Sequence, residues 1–260
     1  MQEKKFSCIF YANMAKKKTK KRIILACFTA LILLLVLNII FFAGMHYKAD
    51  STALAVLNGS ELTSDEKLES TDKWYVLTPA GYNSQSDKTG IILYPGANID
   101  STSYLPLMSK LQDFGYICFI SRPILHLAVL DFNAAQKIMD AYPEIDSWFI
   151  AGHSLGGSSA ALFSEKHMEE TAGLIHLGSF EYKNYPADDT IFIYGSEDRI
   201  LSKKRLNGES EEYIISGGNH SQFGNYGNQL FDGQPSITTE EQQEQTAGLI
   251  DSFIRKQKEK

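Results

Sequence analysis

The sequence predicts an α/β protein: a mostly parallel sheet with helices on both faces, preceded by one membrane-spanning helix. Three observations predict it. Short apolar runs of strand length alternate with segments whose apolar residues recur at helical spacing, the pattern of parallel strands joined by crossover helices. Ser154 sits in Gly152-His153-Ser154-Leu155-Gly156, between the apolar run Trp148-Phe149-Ile150-Ala151 and a segment of small residues, Gly156-Gly157-Ser158-Ser159-Ala160-Ala161. Residues 23–43 form an apolar stretch in which only Thr29 and Asn38 are clearly polar.

As a helix, that stretch would be about 31 Å long, against a hydrocarbon core of about 30 Å. Lys16-Lys17-Lys18-Thr19-Lys20-Lys21-Arg22 precedes it. Such a cationic flank stays on the cytoplasmic side. Residues 1–22 are therefore expected to be a basic cytoplasmic N-terminus, 23–45 a single-pass signal-anchor helix, and the rest extracytoplasmic. A cleaved signal peptide is the competing reading, but its apolar region runs to only about 7–15 residues. Ala53-Leu54-Ala55 looks like a cleavage site yet lies well beyond the span. Residues 46–70 are polar and mixed, and read as a stalk or linker.

The domain expected over 71–260 opens its sheet at Trp74-Tyr75-Val76-Leu77. Ile91-Ile92-Leu93-Tyr94 is the next strand, and Pro95-Gly96-Ala97-Asn98 the loop after it. Leu105, Leu107, Met108 and Leu111 give 103–114 a helical period, and 116–120 is a strand. A helix is expected over 131–142, with Asp131 as N-cap and Pro143 as terminator. Strands at 148–151, 173–178, 190–194 and 212–215 follow, and a closing helix at 247–254. No internal repeat is present.

Residues 1–22 carry a net charge of +7 and the remainder −13, which the overall −6 conceals. The basic end suits anionic inner-leaflet lipid, and the acidic remainder disfavours nucleic acid as a partner. Of the cysteines, Cys8 is expected inside, Cys27 within the span, and Cys118 as a buried strand thiol; one outer cysteine cannot form an intramolecular disulfide. No Cys/His grouping has metal-site spacing and no P-loop or dinucleotide fingerprint is present, so neither metal nor cofactor is expected.

The chemistry concentrates on Ser154. A serine on a sharp strand-to-helix turn has its hydroxyl pushed out of the backbone, and flanking glycines avoid collisions in so tight a turn. The hydroxyl needs a base, and the base an orienting group, in chain order Ser, then Asp or Glu, then His. His220 is the candidate base, in the loop Gly217-Gly218-Asn219-His220-Ser221 after the run Glu212-Tyr213-Ile214-Ile215. His176 reads as a core residue, His167 as solvated, and His153 as a wall of the pocket tied to the same turn. His46 and His126 come too early in the chain. Asp198, just past the strand Ile191-Phe192-Ile193-Tyr194, is the candidate acid; Glu197 is its rival and Asp232 is out of order. Backbone N–H groups of Leu155 and Ala97 are the candidate oxyanion donors, with Asn98 the second choice for the latter.

These segments together resemble the α/β-hydrolase family from Trp74 to the C-terminal helix. More narrowly, Tyr94-Pro95-Gly96, Gly152-His153-Ser154-Leu155-Gly156-Gly157 and the run from Gly217 to Gly227 are similar to membrane-anchored bacterial members related to dienelactone hydrolase. The resemblance implies a Ser154-Asp198-His220 triad. Two departures stand out. Pro95-Gly96 replaces the family's common His-Gly pair, and a serine stands where dienelactone hydrolases proper use cysteine, so lactone specificity is not carried over. Only about a dozen residues separate strands 173–178 and 190–194, where this fold usually inserts a large lid. An open site is expected, covered only by loops such as 122–130 and 221–237. The expected function is a serine hydrolase of ester bonds in a small or accessible acylated substrate. An acyltransferase or peptidase on the same triad, or a non-catalytic binding protein, are the alternatives. The sequence sets no oligomeric state.

Overall fold

The computed structural model describes residues 19–38, 44–60, 66–83, 86, 88–180, 184–206 and 208–260. The basic residues 1–18 and residues 39–43 of the expected span lie outside them. The first described element is helix α1 (Thr19–Asn38), whose most apolar window has mean hydropathy 2.0 and is unburied. Its two polar side chains turn back on the helix: Thr29 Oγ1 donates to Leu25 O at 2.7 Å and Asn38 Nδ2 to Leu34 O at 2.8 Å. Each thus spends a donor on the helix's own backbone, which lowers the cost of an apolar surrounding. This helix is long and apolar enough to cross a membrane, and it falls in a unit apart from His46–Lys260.

The second unit holds one eight-stranded sheet in the order β1-β2-β4-β3-β5-β6-β7-β8. Its strands are β1 (Lys67–Ser70), β2 (Trp74–Thr78), β3 (Thr89–Tyr94), β4 (Ile117–Ser121), β5 (Ser147–His153), β6 (Gly173–Leu177), β7 (Thr190–Gly195) and β8 (Glu211–Ile215). Only β1–β2 and β2–β4 are antiparallel; every other pair is parallel. Successive side chains leave opposite faces of a strand, so each apolar run feeds two cores. Ile91, Leu93, Phe149, Ile175 and Ile193 pack toward helices α3 (Leu105–Asp113) and α6 (Thr239–Lys258). Ile92, Tyr94, Phe119, Trp148 and Ile150 pack toward α4 (Ala134–Ala141) and α5 (Leu155–Lys166). Cys118 is buried in β4, as expected, and burial pushes its thiol up.

Several boundaries differ from expectation. The segment 46–70 is no stalk among its described residues (61–65 lie outside them). Helix α2 (Ser51–Leu57) is capped by Asp50, whose Oδ1 accepts from Thr52 N and Ala53 N, and it buries Ala53 and Val56. β1 pairs with β2 through backbone bonds, which polar side chains do not prevent, so the sheet begins before Trp74. Asp131 does not cap α4: it ends a 3₁₀ turn and its carboxylate meets Lys137 Nζ at 2.6 Å, leaving Asn133 at the cap position. The chain at 101–104 is a 3₁₀ turn capped by Asp100, with α3 starting at Leu105 and Pro106 in its first turn, where no N–H is needed. α6 starts eight residues before the expected 247, because Thr238 and Glu241 form a reciprocal capping box.

Candidate active site

The C-terminal ends of the parallel strands gather the predicted residues. β5 ends at His153 and α5 starts at Leu155, so the whole reversal falls on Ser154, at φ 52° and ψ −124°. A residue with a side chain seldom takes that backbone, and holding it there costs of order 1–3 kcal/mol. The surroundings enforce it: Ser154 N donates to Leu177 O at 3.0 Å, and Gly157 N to Ser154 O at 3.0 Å. A Cβ at Gly156 would collide with the carbonyls of Tyr94 and Pro95. Ser154 remains partly exposed at this turn.

Asp198 and His220 meet from the ends of β7 and β8. His220 Nδ1 donates to Asp198 Oδ2 at 2.8 Å, with both side chains buried. The other carboxylate oxygen, Oδ1, accepts Ile200 N at 2.9 Å and Leu201 N at 2.8 Å, which fixes the acid's plane. The rival Glu197 takes no part; Ser196 Oγ donates to it. His220 Nε2 is buried and has no hydrogen-bond partner among the described residues, so its bond to Ser154 is not closed in this structure. Such bonds are often open until substrate binds.

The structure adds a bridge that sequence reasoning missed. Gly96 N donates to Tyr104 Oη at 3.0 Å, and Tyr104 Oη lies 2.8 Å from His153 Nδ1. His153 Nε2 lies 3.0 Å from the carbonyl of His220. A carbonyl only accepts, so Nε2 carries the proton, Nδ1 accepts from Tyr104, and the phenol oxygen accepts from Gly96. The loop after β3 is thereby tied to the candidate base. Burial, then the neighbouring His220, hold the His153 ring well below the usual histidine value, which keeps it neutral. His153 is therefore a bonded wall of the site. His176, as expected, is core: it stacks on Phe192 at 4.5 Å, and burial pushes it down to about 3. His167 pairs with Glu170 at the end of α5.

The bridge also sorts the oxyanion donors. Gly96 N–H is used by Tyr104, and Asn98 N–H donates to His126 O at 2.8 Å. The second choice, Asn98, is thus engaged, and Ala97 N–H between them is without a partner among the described residues. Leu155 N–H, at the first position of α5, has no partner within its own helix. Loop 122–130 is tied to the loop after β3 through His126 O, and loop 221–237 carries Asp232, which accepts from Ser221 N beside His220; about a dozen residues join β6 to β7, so no large lid is inserted there.

The comparisons agree with this architecture. A family model described as alpha/beta hydrolase family matches residues 90–244. Est1E from Butyrivibrio proteoclasticus is 14% identical with a TM-score of 0.51, covering 76% of this chain and 100% of its own. XC6422 from Xanthomonas campestris, described as a serine hydrolase without lid, is 13% identical with a TM-score of 0.51, covering 75% and 96%. A dienelactone hydrolase from Anabaena variabilis is 12% identical with a TM-score of 0.50, covering 74% and 98%. A search of curated proteins finds no match. With the family model spanning the sheet from β3 to α6 and the nucleophile turn between β5 and α5, this chain belongs to the α/β-hydrolase family.

Proposed function

We propose that the protein is a serine hydrolase of carboxylic ester bonds in a small or accessible acylated substrate, working through Ser154, Asp198 and His220. The observation that carries it is the buried Asp198–His220 pair whose outer nitrogen, Nε2, is unspent. Asp198 holds the proton on Nδ1, which leaves Nε2 as the acceptor a serine needs. The lidless serine hydrolase among its structural neighbours is in keeping with this chemistry.

Ser154 Oγ attacks the ester carbonyl carbon while His220 Nε2 takes the hydroxyl proton. The negative oxygen that develops lies against the N–H groups of Leu155 and Ala97. When the tetrahedral adduct collapses, the carbon–oxygen bond to the alcohol breaks and His220 returns its proton to that oxygen. The acyl group stays on Ser154. Water then attacks with His220 again as base, the acid leaves, and Ser154 regains its proton. The route needs neither metal nor cofactor. The apolar α1 and its lysine-rich flank support an anchored chain with this domain outside the membrane.

Ser154→Ala is expected to lower kcat/KM on p-nitrophenyl butyrate by about a thousandfold or more without moving the melting temperature. A fluorophosphonate probe should label Ser154 of the native chain and fail to label the His220→Ala variant. Labelling that ignores His220, or turnover that survives Ser154→Ala, sinks the reading.

A further inference from the structure

Clustered apolar side chains left in water mark a surface made for another surrounding. Two loops bonded to the candidate site carry such a cluster. After β4, Ile124 is 74% and Leu130 59% exposed, with Leu125 and Val129 beside them. On the second loop, before Gly233, Leu230 is 68% and Phe231 83% exposed. Neither loop is slack. Leu125, His126 and Phe231 hold φ values of 57°, 54° and 69°, which residues with side chains rarely adopt. Asn98 N bonds to His126 O at 2.8 Å on one side, and Ser221 N to Asp232 Oδ2 at 2.9 Å on the other. The turns are pinned beside the oxyanion loop and beside His220, with their apolar residues outward.

The incoming chain fastens to both loops. Tyr47 N donates to Asn98 O at 2.8 Å, Asp100 N donates to Tyr47 O at 2.9 Å, and Leu230 N donates to Tyr47 Oη at 3.1 Å. His46 stacks on His126 with ring centroids 4.0 Å apart. Tyr47 is nine residues beyond Asn38, the end of α1. Nine residues reach at most about 32 Å, so a membrane-crossing α1 keeps Tyr47 near the bilayer surface. Charge agrees with that surrounding. The loop after Asp198, Arg199-Ile200-Leu201-Ser202-Lys203-Lys204-Arg205, holds four cations and no carboxylate, in a chain whose residues 23–260 carry −13 overall. Arg199 N lies 3.5 Å from Asp232 Oδ1, next to Phe231, so this loop borders one apolar tip, an arrangement that suits acyl chains beneath anionic headgroups.

We propose that this rim lies on the bilayer that holds α1, and that the substrate is the acyl ester of an amphiphile resident in that bilayer, passing from lipid into the cleft. The proposal rests on the ester-hydrolase reading above and names its substrate class. With no large inserted lid, access is set by how the rim sits on lipid.

The test uses the full chain in phosphatidylglycerol-containing vesicles and two substrates with one leaving group: methylumbelliferyl butyrate in solution and methylumbelliferyl oleate in the vesicle. The variant Ile124→Ser, Leu130→Ser, Phe231→Ser is expected to keep butyrate turnover within about twofold, because exposed sites tolerate substitution, and to lose about tenfold or more on oleate. Phe231→Trp should gain emission that brominated acyl chains quench, while the parent chain's two tryptophans stay unquenched. Equal loss on both esters, no loss on oleate, or no quenching overturns the proposal while butyrate turnover keeps the ester reading intact. Hydrolysis of neither ester by the parent chain overturns that reading itself.

Discussion

Gly178 is small because two other groups occupy the space of its side chain. It has φ 52°, and a Cβ there would lie 2.9 Å from His220 Nδ1 and 3.1 Å from Asp198 Oδ2. Gly178→Ala is expected to cost about 1 kcal/mol or more in stability through the strained backbone. By tilting the imidazole it should also lower kcat about tenfold with KM nearly unchanged. Thermal melting and steady-state kinetics check the two parts separately. Tyr104→Phe removes the oxygen that joins Gly96 to His153, leaving a buried N–H and a ring nitrogen without their partner. A stability loss of about 1–3 kcal/mol is expected, with a fall in kcat rather than a rise in KM. Ser154, Asp198 and His220 are proposed from the sequence because each stands at a strand end in a fixed chain order, and the structure joins the last two. Tyr104 and His153 were not readable as a pair, since 49 residues separate them and only the strand order brings them together.

At the scale of elements, the apolar runs announced most of the sheet, and hydrogen bonding decided what they did not announce. β1 has no alternating apolar pattern, and joins the sheet because the free edge of β2 offers backbone partners. The first seven residues of α6 are Thr-Glu-Glu-Gln-Gln-Glu-Gln, polar throughout; its start lay in the Thr238 and Glu241 spacing rather than in any apolar period. α2 depends on Asp50, which also bonds through its N–H to Asn225 O at 2.8 Å. Asp50→Ala is expected to cost about 1 kcal/mol, read as a lower denaturation midpoint. A chain begun at His46 should keep full ester turnover. One begun at Gly59 loses both α2 and the Tyr47 clasp on Asn98 and Asp100. It should keep the circular dichroism of the remaining elements but lose about tenfold in kcat. Equal rates for the two chains would show that the clasp leaves the oxyanion loop unaffected.

For the whole molecule, the buried histidines make stability depend on pH. The rings of His153 and His176 are held below the ordinary value of 6.5, the second down to about 3. In the unfolded chain they take up protons near that ordinary value; in the folded chain they do so only at lower pH. Between about pH 6.5 and the folded values the unfolded state binds more protons, so stability falls as pH falls, by about 1.4 kcal/mol per unit for each ring. His176→Leu should flatten the stability–pH slope below about pH 6 by one proton, measured by urea unfolding; an unchanged slope would exclude His176 as a source. The α/β class was legible from alternating strands and helices, whereas the strand order was not, because pairing partners lie far apart in sequence. That order leaves two open edges, β1 and β8. β1 is four residues long and carries Lys67 and Glu69; β8 begins with Glu211 and Glu212. Two copies meeting antiparallel along the whole of β8 would set Glu211 and Glu212 of each against Ile215 and Ile214 of the other, placing charge beside apolar side chains. The molecule thus guards against joining sheets with its own kind, and neutralising both glutamates is the shortest route to an edge-paired, aggregation-prone protein.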